Sequence, residues 1–220
     1  MRIGVDTGGT FTDFVRVDAR GLTTHKVRST PDDPSRAILE GIAALTADTS
    51  ESGAVAPRDI VHGSTVATNA VLERKGARVA LVATAGFEDV ILIGRQTRPE
   101  LYNIFVNPRP PLVDRQLVFG VPERLDADGR VIKPVDLDAV DRLARKIRVA
   151  GADIVAVCLL HSYVNAMHEH IVAERLKAAG LAVCTSADVL PEYREFERWS
   201  TTAVNAYVTP LMDRYLGRLE

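Results

Sequence analysis

The chain opens with an apolar run at residues 2–5, a polar glycine-bearing segment at 6–13, and a second apolar run at 14–17. Apolar runs divided by paired glycines predict strand, tight turn and returning strand rather than a strand entering a helix. Residues 22–27 extend the pattern as a third strand after a turn at 18–21. Asp33 is placed to cap a helix that starts at Pro34, and Ile38, Ile42 and Leu45 give that helix one apolar face. Residues 59–61 read as a short strand entering Gly63-Ser64-Thr65. A helix is expected over 66–74, with Gly76 as its C-terminal cap.

Residues 79–83 are apolar without alternation, the pattern of a strand buried on both faces. Residues 94–111 carry four prolines and read as an irregular excursion, a type of loop that often serves function. Strands are expected at 116–124 and 130–133 around the turn Asp126-Ala127-Asp128-Gly129. Then come a helix over 137–149, a strand over 154–160, a helix over 166–179 capped by Asn165, and a strand over 181–184. From residue 192 the chain reads helical to its end, with an interruption near Pro210. The alternation predicts a mixed α/β fold with some parallel strands.

Composition narrows the class. With 46% hydrophobic and 25% charged residues, 220 residues can bury a core, which excludes a mainly disordered chain. The 27 basic residues are balanced by 29 acidic ones, which argues against nucleic acid or an anionic membrane as the main partner. The apolar runs are strand-sized, and the N-terminus reaches Asp6 without the apolar stretch of a signal peptide. Cys158 and Cys184 form no CxxC pair and read as two reduced thiols, so a cytoplasmic protein is expected. The chain still reads helical as it reaches Leu219 and Glu220, which leads us to expect a fragment, or a first lobe whose partner lies elsewhere.

The candidate chemistry centres on Asp6, Thr7, Gly8, Gly9, Thr10, Thr12 and Asp13. Two glycines let backbone N–H groups approach a phosphate, threonine hydroxyls add donors, and Asp6 is placed to hold a magnesium ion or orient a reacting group. The spacing is neither GxGxxG nor GxxxxGK[ST], so dinucleotide and P-loop readings fail. The alternative is an ordinary hairpin with its glycines at positive φ. His62 stands at a strand end before a helix, where an imidazole can meet substrate or phosphate, or simply brace the loop. Ser64, Thr65, Thr68 and Asn69 are anion donors or helix caps. Arg95, Gln96, Arg98 and Tyr102 suit a planar carbonyl or imide, or else belong to a solvated loop. Arg194, Glu195, Glu197 and Arg198 read as surface pairs along a helix. His168 and His170 fall on opposite sides of a helix and cannot share a metal.

The stretch from Gly4 to Asp13 resembles the first phosphate loop of the actin-like ATPase superfamily, which includes actin and sugar kinases. In that superfamily two lobes close on ATP, and this chain carries one of the two phosphate hairpins. The longer segment His62-Gly63-Ser64-Thr65-Val66-Ala67-Thr68-Asn69 resembles the hydantoinase A/oxoprolinase family. So do Gly86-Phe87-Glu88-Asp89-Val90, Gly94-Arg95-Gln96, Arg98-Pro99-Glu100-Leu101-Tyr102 and Leu190-Pro191-Glu192-Tyr193-Arg194. The resemblance implies an actin-like (ribonuclease H-like) α/β lobe. Its N-terminal domain would span residues 1–190, and residues 191–220 would begin the following core. It also implies ATP and Mg2+ as cofactors, a cyclic amide or a ketone as substrate, and a B-type companion subunit. Asp6 and His62 become catalytic candidates, with Asp6 also at the metal. Thr7, Gly8, Gly9, Thr10, Thr12 and Asp13 become cofactor-binding candidates. Thr65, Asn69, Arg95, Gln96, Arg98 and Tyr102 become substrate-binding ones. A non-catalytic actin-like module is the alternative.

Overall fold

In the computed structural model, Ile3, Val5 and Thr7 alternate with Arg2, Gly4 and Asp6 and send the first strand's side chains to two faces, one buried and one open. The structure describes residues 1–30, 33–50, 59–97, 100, 102–103, 105 and 110–219. The chain divides into two units: Met1–Lys75 with Leu211–Glu220, and Gly76–Pro210.

In the first unit, β1 (Arg2–Thr7), β2 (Phe11–Asp18) and β3 (Gly21–Arg28) form an antiparallel meander. Helix α1 (Pro34–Ser50) carries the chain back so that β4 (Asp59–Ser64) pairs parallel with β1. The sheet order is β3-β2-β1-β4. Its buried face presents Ile3, Val5 and Phe14 to Ile38 and Leu45 of α1 and to Tyr215. Each such side chain contributes about 1.5–3 kcal/mol by leaving water. The expected hairpin, third strand and Pro34 start are all observed.

Helix α2 (Val66–Leu72) follows β4 and is shorter than its pattern suggests. Arg74 takes the left-handed conformation (φ 58°), and Lys75 N–H donates to the Ala70 carbonyl at 2.9 Å. This is a Schellman-type close, with arginine where glycine usually stands. Gly76 is therefore not the cap. It is required because a Cβ there would collide with the ring of Tyr207.

The second unit holds a parallel sheet in the order β10-β9-β5-β6. Its strands are β5 (Val79–Thr84), β6 (Val118–Val121), β9 (Ile154–Cys158) and β10 (Val183–Thr185). All residues of β5 are buried, as its apolar run predicts, and so are all those of β9. Helices α4 (Leu137–Val149) and α5 (Met167–Ala178) bury Val140, Leu143, Ile147, Val172 and Leu176. The strand expected over 116–124 is split. Residues Arg115–Leu117 form a 3-10 turn, β6 joins the parallel sheet, and β7 (Arg124–Leu125) turns away to pair with β8 (Val131–Lys133). Pro122, at the break, has no N–H for a ladder. Short helices α3 (Val90–Ile93) and α6 (Ser186–Val189) follow β5 and β10.

Helix α7 (Glu195–Leu216) runs through Pro210 without the expected interruption, and the division between units falls at that proline. A proline inside a helix removes one hydrogen bond, a loss that the packing of Trp199, Ala203, Ala206 and Tyr215 offsets. Asn165 does not serve as the cap residue of α5, which is Ala166; its side chain instead accepts from the Met167 N–H at 3.0 Å. Both cysteines are free, and burial raises the pKa of each thiol. Among the described residues no helix is long and apolar enough to cross a membrane.

Candidate functional site

The glycine turn between β1 and β2 closes through the Gly8 N–H and the Phe11 carbonyl at 3.0 Å. Neither Gly8 nor Gly9 has a positive φ, so the alternative's reason for the two glycines does not hold. Close approach is the reason for Gly8 but not for Gly9, where a Cβ would make only ordinary contact. A Cβ on Gly8 would stand 3.1 Å from the Phe11 carbonyl oxygen, and one on Gly9 would stand 3.5 Å from the Asn69 amide nitrogen. Ser29 braces the turn from within. Its hydroxyl donates to the Gly8 carbonyl at 2.7 Å and lies 3.0 Å from the Thr12 hydroxyl, and its N–H donates to the Thr10 carbonyl. Thr12 is fully buried, so its hydroxyl serves this brace. The N–H groups of Gly9 and Thr10 have no partner among the described residues, and both residues are exposed.

Strand periodicity divides the neighbouring groups. Thr7 faces inward and is 1% exposed, yet its hydroxyl has no hydrogen-bond partner. Asp6 lies on the open face, in register with Asp13 on one side and Gly63 on the other. Asp13 is held by Lys26 at 2.9 Å. A Cβ on Gly63 would make ordinary contact, at 3.5 Å, with a carboxylate oxygen of Asp6. From the start of α2, the Thr65 N–H and hydroxyl reach the Thr7 carbonyl at 3.2 and 3.3 Å, and the Asn69 amide reaches the Thr65 hydroxyl at 3.4 Å. Thr7, Gly8, Gly9, Thr65 and Asn69 border a hollow of about 340 Å³. Ser64, not Thr65, supplies a capping acceptor, to the Val66 N–H at 3.2 Å.

His62 lies opposite Val5 and so on the other face from Asp6. Its Nε2 meets the Tyr215 hydroxyl, and the rings lie 5.7 Å apart. Burial lowers the imidazole pKa below its ordinary value. Asp6 and His62 therefore face opposite sides of the sheet, although the Asp6 charge still acts on the imidazole.

The second unit has its own crevice, of about 660 Å³, beyond the carboxyl ends of β5 and β9. Arg95 lies there, paired with Glu197 at 2.7 Å and set over the Phe196 ring. Gln96 has φ 55°, Tyr102 is 98% exposed, and Arg98 lies outside the described residues. Neither Gln96 nor Tyr102 borders the crevice. The surface-pair expectation for the helix start is corrected. Glu197 reaches back to Arg95, and Arg198 is fully buried, donating to the Ser186 hydroxyl and to the Leu159 and Glu192 carbonyls. His168 and His170 diverge as expected. The first is buried against Glu123 at 2.6 Å, and the second meets Asp188 at 3.2 Å. Among the described residues no group of three or more His, Cys, Asp and Glu side chains could hold a metal. Arg124, His161 and Phe196 also border the crevice. Periodicity does not mark them, and the only signal for His161 is its place just past an apolar strand.

The family model for the hydantoinase/oxoprolinase N-terminal region matches residues 2–180. The chain belongs to this family. The caprolactamase alpha subunit of Pseudomonas jessenii is 35% identical over 100% of this chain and 33% of its own length. The crystal structure of that ATP-dependent caprolactamase matches with a TM-score of 0.87 at 34% identity, again over 100% of this chain and 33% of its own. The acetophenone carboxylase gamma subunit of Aromatoleum aromaticum is 36% identical over 98% of this chain and 32% of its own. A nucleotide-free acetone carboxylase structure matches with a TM-score of 0.87 at 29% identity, over 99% of this chain and 33% of its own. The chain thus spans about a third of the length of these relatives. The mixed α/β fold expected from the sequence is the fold of their corresponding region.

Proposed function

We propose that this chain supplies the first phosphate-binding hairpin of an ATP-dependent enzyme that opens a cyclic amide of the hydantoin, oxoproline or lactam type. The observation that carries the reading is the turn itself. The free N–H groups of Gly9 and Thr10 stand at its tip, beside the orphaned hydroxyl of Thr7. Oriented backbone N–H groups form an anion site, and a buried hydroxyl without a partner costs free energy until a ligand satisfies it.

The residues fit a nucleotide phosphate with its magnesium. Gly9, Thr10 and Asn69 donate to the phosphate oxygens, and Asp6, on the open face, holds the ion through water. Thr12 and Ser29 fix the turn, Thr65 anchors α2 to it, and Asp13 with Lys26 secures the adjoining strands. Bound there, Mg-ATP supplies a phosphoryl group that makes an amide oxygen a better leaving group. His62 sits on the face away from Asp6, so in this reading it positions the C-terminal helix through Tyr215.

Residues 1–190 form the N-terminal domain in this reading, and residues 191–220 begin the core that follows. A second half of the phosphate clamp and a B-type companion subunit complete the cytoplasmic enzyme. The caprolactamase likeness favours the hydrolase. The likeness to two ketone carboxylases supports carboxylation as the second reading.

The test is phosphate release by the whole protein with its companion subunit, against hydantoins, oxoproline, caprolactam and small ketones. Stimulation by a cyclic amide without bicarbonate supports hydrolysis. Stimulation by a ketone only with bicarbonate moves the assignment to carboxylation, and stimulation by none overturns both.

A further inference from the structure

The crevice in the second unit has features that the phosphate reading does not use. The parallel order β10-β9-β5-β6 places the chain's return between β5 and β9. After β5 the chain passes to β6 on one side, and it later comes back as β9 on the other. Loops diverging from such a point leave a crevice outside the carboxyl ends of the strands, where open α/β sheets bind ligands. The crevice here lies at that point, with Phe87 following β5 and Leu160 and His161 following β9. Its volume of about 660 Å³ suits a small organic molecule.

Its lining combines flat apolar surface with cationic groups. The Arg124 guanidinium stands 4.7 Å from the Phe87 ring centre, and that of Arg95 stands 5.9 Å from the ring of Phe196. Arg95 is neutralised by Glu197. Arg124 has no carboxylate within ion-pair distance among the described residues, and the Arg194 guanidinium stands 5.6 Å from the Tyr193 ring centre, where Tyr193, Glu197 and Glu192 stabilise its charge. Glu195 is the remaining acidic group of the lining, so the crevice carries one net positive charge beyond its internal pairs. His161 adds a polar atom that calls for a partner. It is held at φ 57°, a conformation costly for a side chain of its size, and its Nδ1 is buried with no hydrogen bond.

We infer that this crevice binds a small monocarboxylate carried on a flat apolar body, with Arg124 and Arg194 on the carboxylate, Phe87 and Phe196 on the body, and His161 Nδ1 completing the polar contacts. Paired guanidinium donors match a carboxylate's geometry. Glu195 and Glu197 disfavour a multiply charged phosphate ester, which distinguishes this site from the turn in the first unit. The inference stands on the second unit alone and does not depend on the phosphate reading.

The test uses the 220-residue chain, titrated by NMR with benzoate, with benzyl alcohol and inorganic phosphate as controls. Benzoate is expected to shift the resonances of Phe87, Arg124 and His161, and neither control is expected to do so comparably. Arg124→Met keeps the apolar stem over Phe87 and should weaken benzoate about tenfold, as loss of a charge-assisted pair does. Arg194→Met, at an exposed position, checks the same idea with less risk to folding. Benzoate shifts that avoid these residues overturn the assignment, as do equal shifts with benzyl alcohol. Unchanged affinity in a folded Arg124→Met and in Arg194→Met overturns it too.

Discussion

The Nε2 of His62 meets the hydroxyl of Tyr215, a residue 153 positions further along the chain. This joins β4 to the end of α7 within the first unit. Burial holds the imidazole pKa below its ordinary value of 6.5, so the unfolded chain takes up a proton more readily. The associated stability is complete above pH 6.5 and is lost as pH falls through the lowered folded-state value. Urea unfolding at stepped pH should show this loss for the wild type, and His62→Gln should lack it. Identical profiles for the two would reject this account.

Thr7 separates stability from binding. Its buried hydroxyl has no partner, so Thr7→Val should raise stability by about 1 kcal/mol, the cost of an unsatisfied hydroxyl being relieved. In the phosphate reading the same change weakens Mg-ATP binding by the whole protein. Denaturation midpoints and calorimetry measure the two effects. A destabilised Val variant would mean that the hydroxyl is already satisfied.

Gly41, inside α1, presents two opposed effects. Alanine gains about 1 kcal/mol in helix propensity, but a Cβ there would collide with the buried ring of Phe14. Overpacking costs about 1–3 kcal/mol, so packing should win and Gly41→Ala should unfold at lower denaturant concentration. A midpoint that rises would show that the ring can move aside.

Glu169 is fully buried and accepts from the Leu159 and Ala187 N–H groups and the Ser186 hydroxyl. Burial raises its pKa despite these donors. The native state therefore holds a proton that the unfolded chain has released, and stability falls as pH rises from the ordinary value of 4.5 to the raised one. The stability difference between wild type and Glu169→Gln should shrink over that window. A difference that grows with pH would reverse the assigned sign.

Much of the fold is legible in the sequence because local patterns fix local structure. The glycine pair marks a hairpin, Pro34 marks a helix start, and an unbroken apolar run marks the buried strand β5. The family, too, is carried by short motifs, from His62-Gly63-Ser64-Thr65 through Gly94-Arg95-Gln96 to Leu190-Pro191-Glu192. Long-range packing is a different matter. Whether Gly76 ends a helix or makes way for Tyr207 depends on a residue 131 positions away, by the difference of their numbers. Arg198 reads as a surface residue because nothing near it in sequence discloses the Leu159 carbonyl and Ser186 hydroxyl that receive it.

The candidate site divides along the same line. The sequence alone determined that Asp6, Thr7, Gly8, Gly9 and Thr10 share one turn, since adjacency guarantees it. Only the tertiary structure decided their roles. Pairing puts Thr7 inside and Asp6 outside, gives Thr12 to Ser29 and Asp13 to Lys26, and turns His62 toward Tyr215. In the second unit the strand order placed Arg124, His161 and Phe196 around one crevice. Residue spacing does not encode that grouping, because it comes from the order in which distant strands pair.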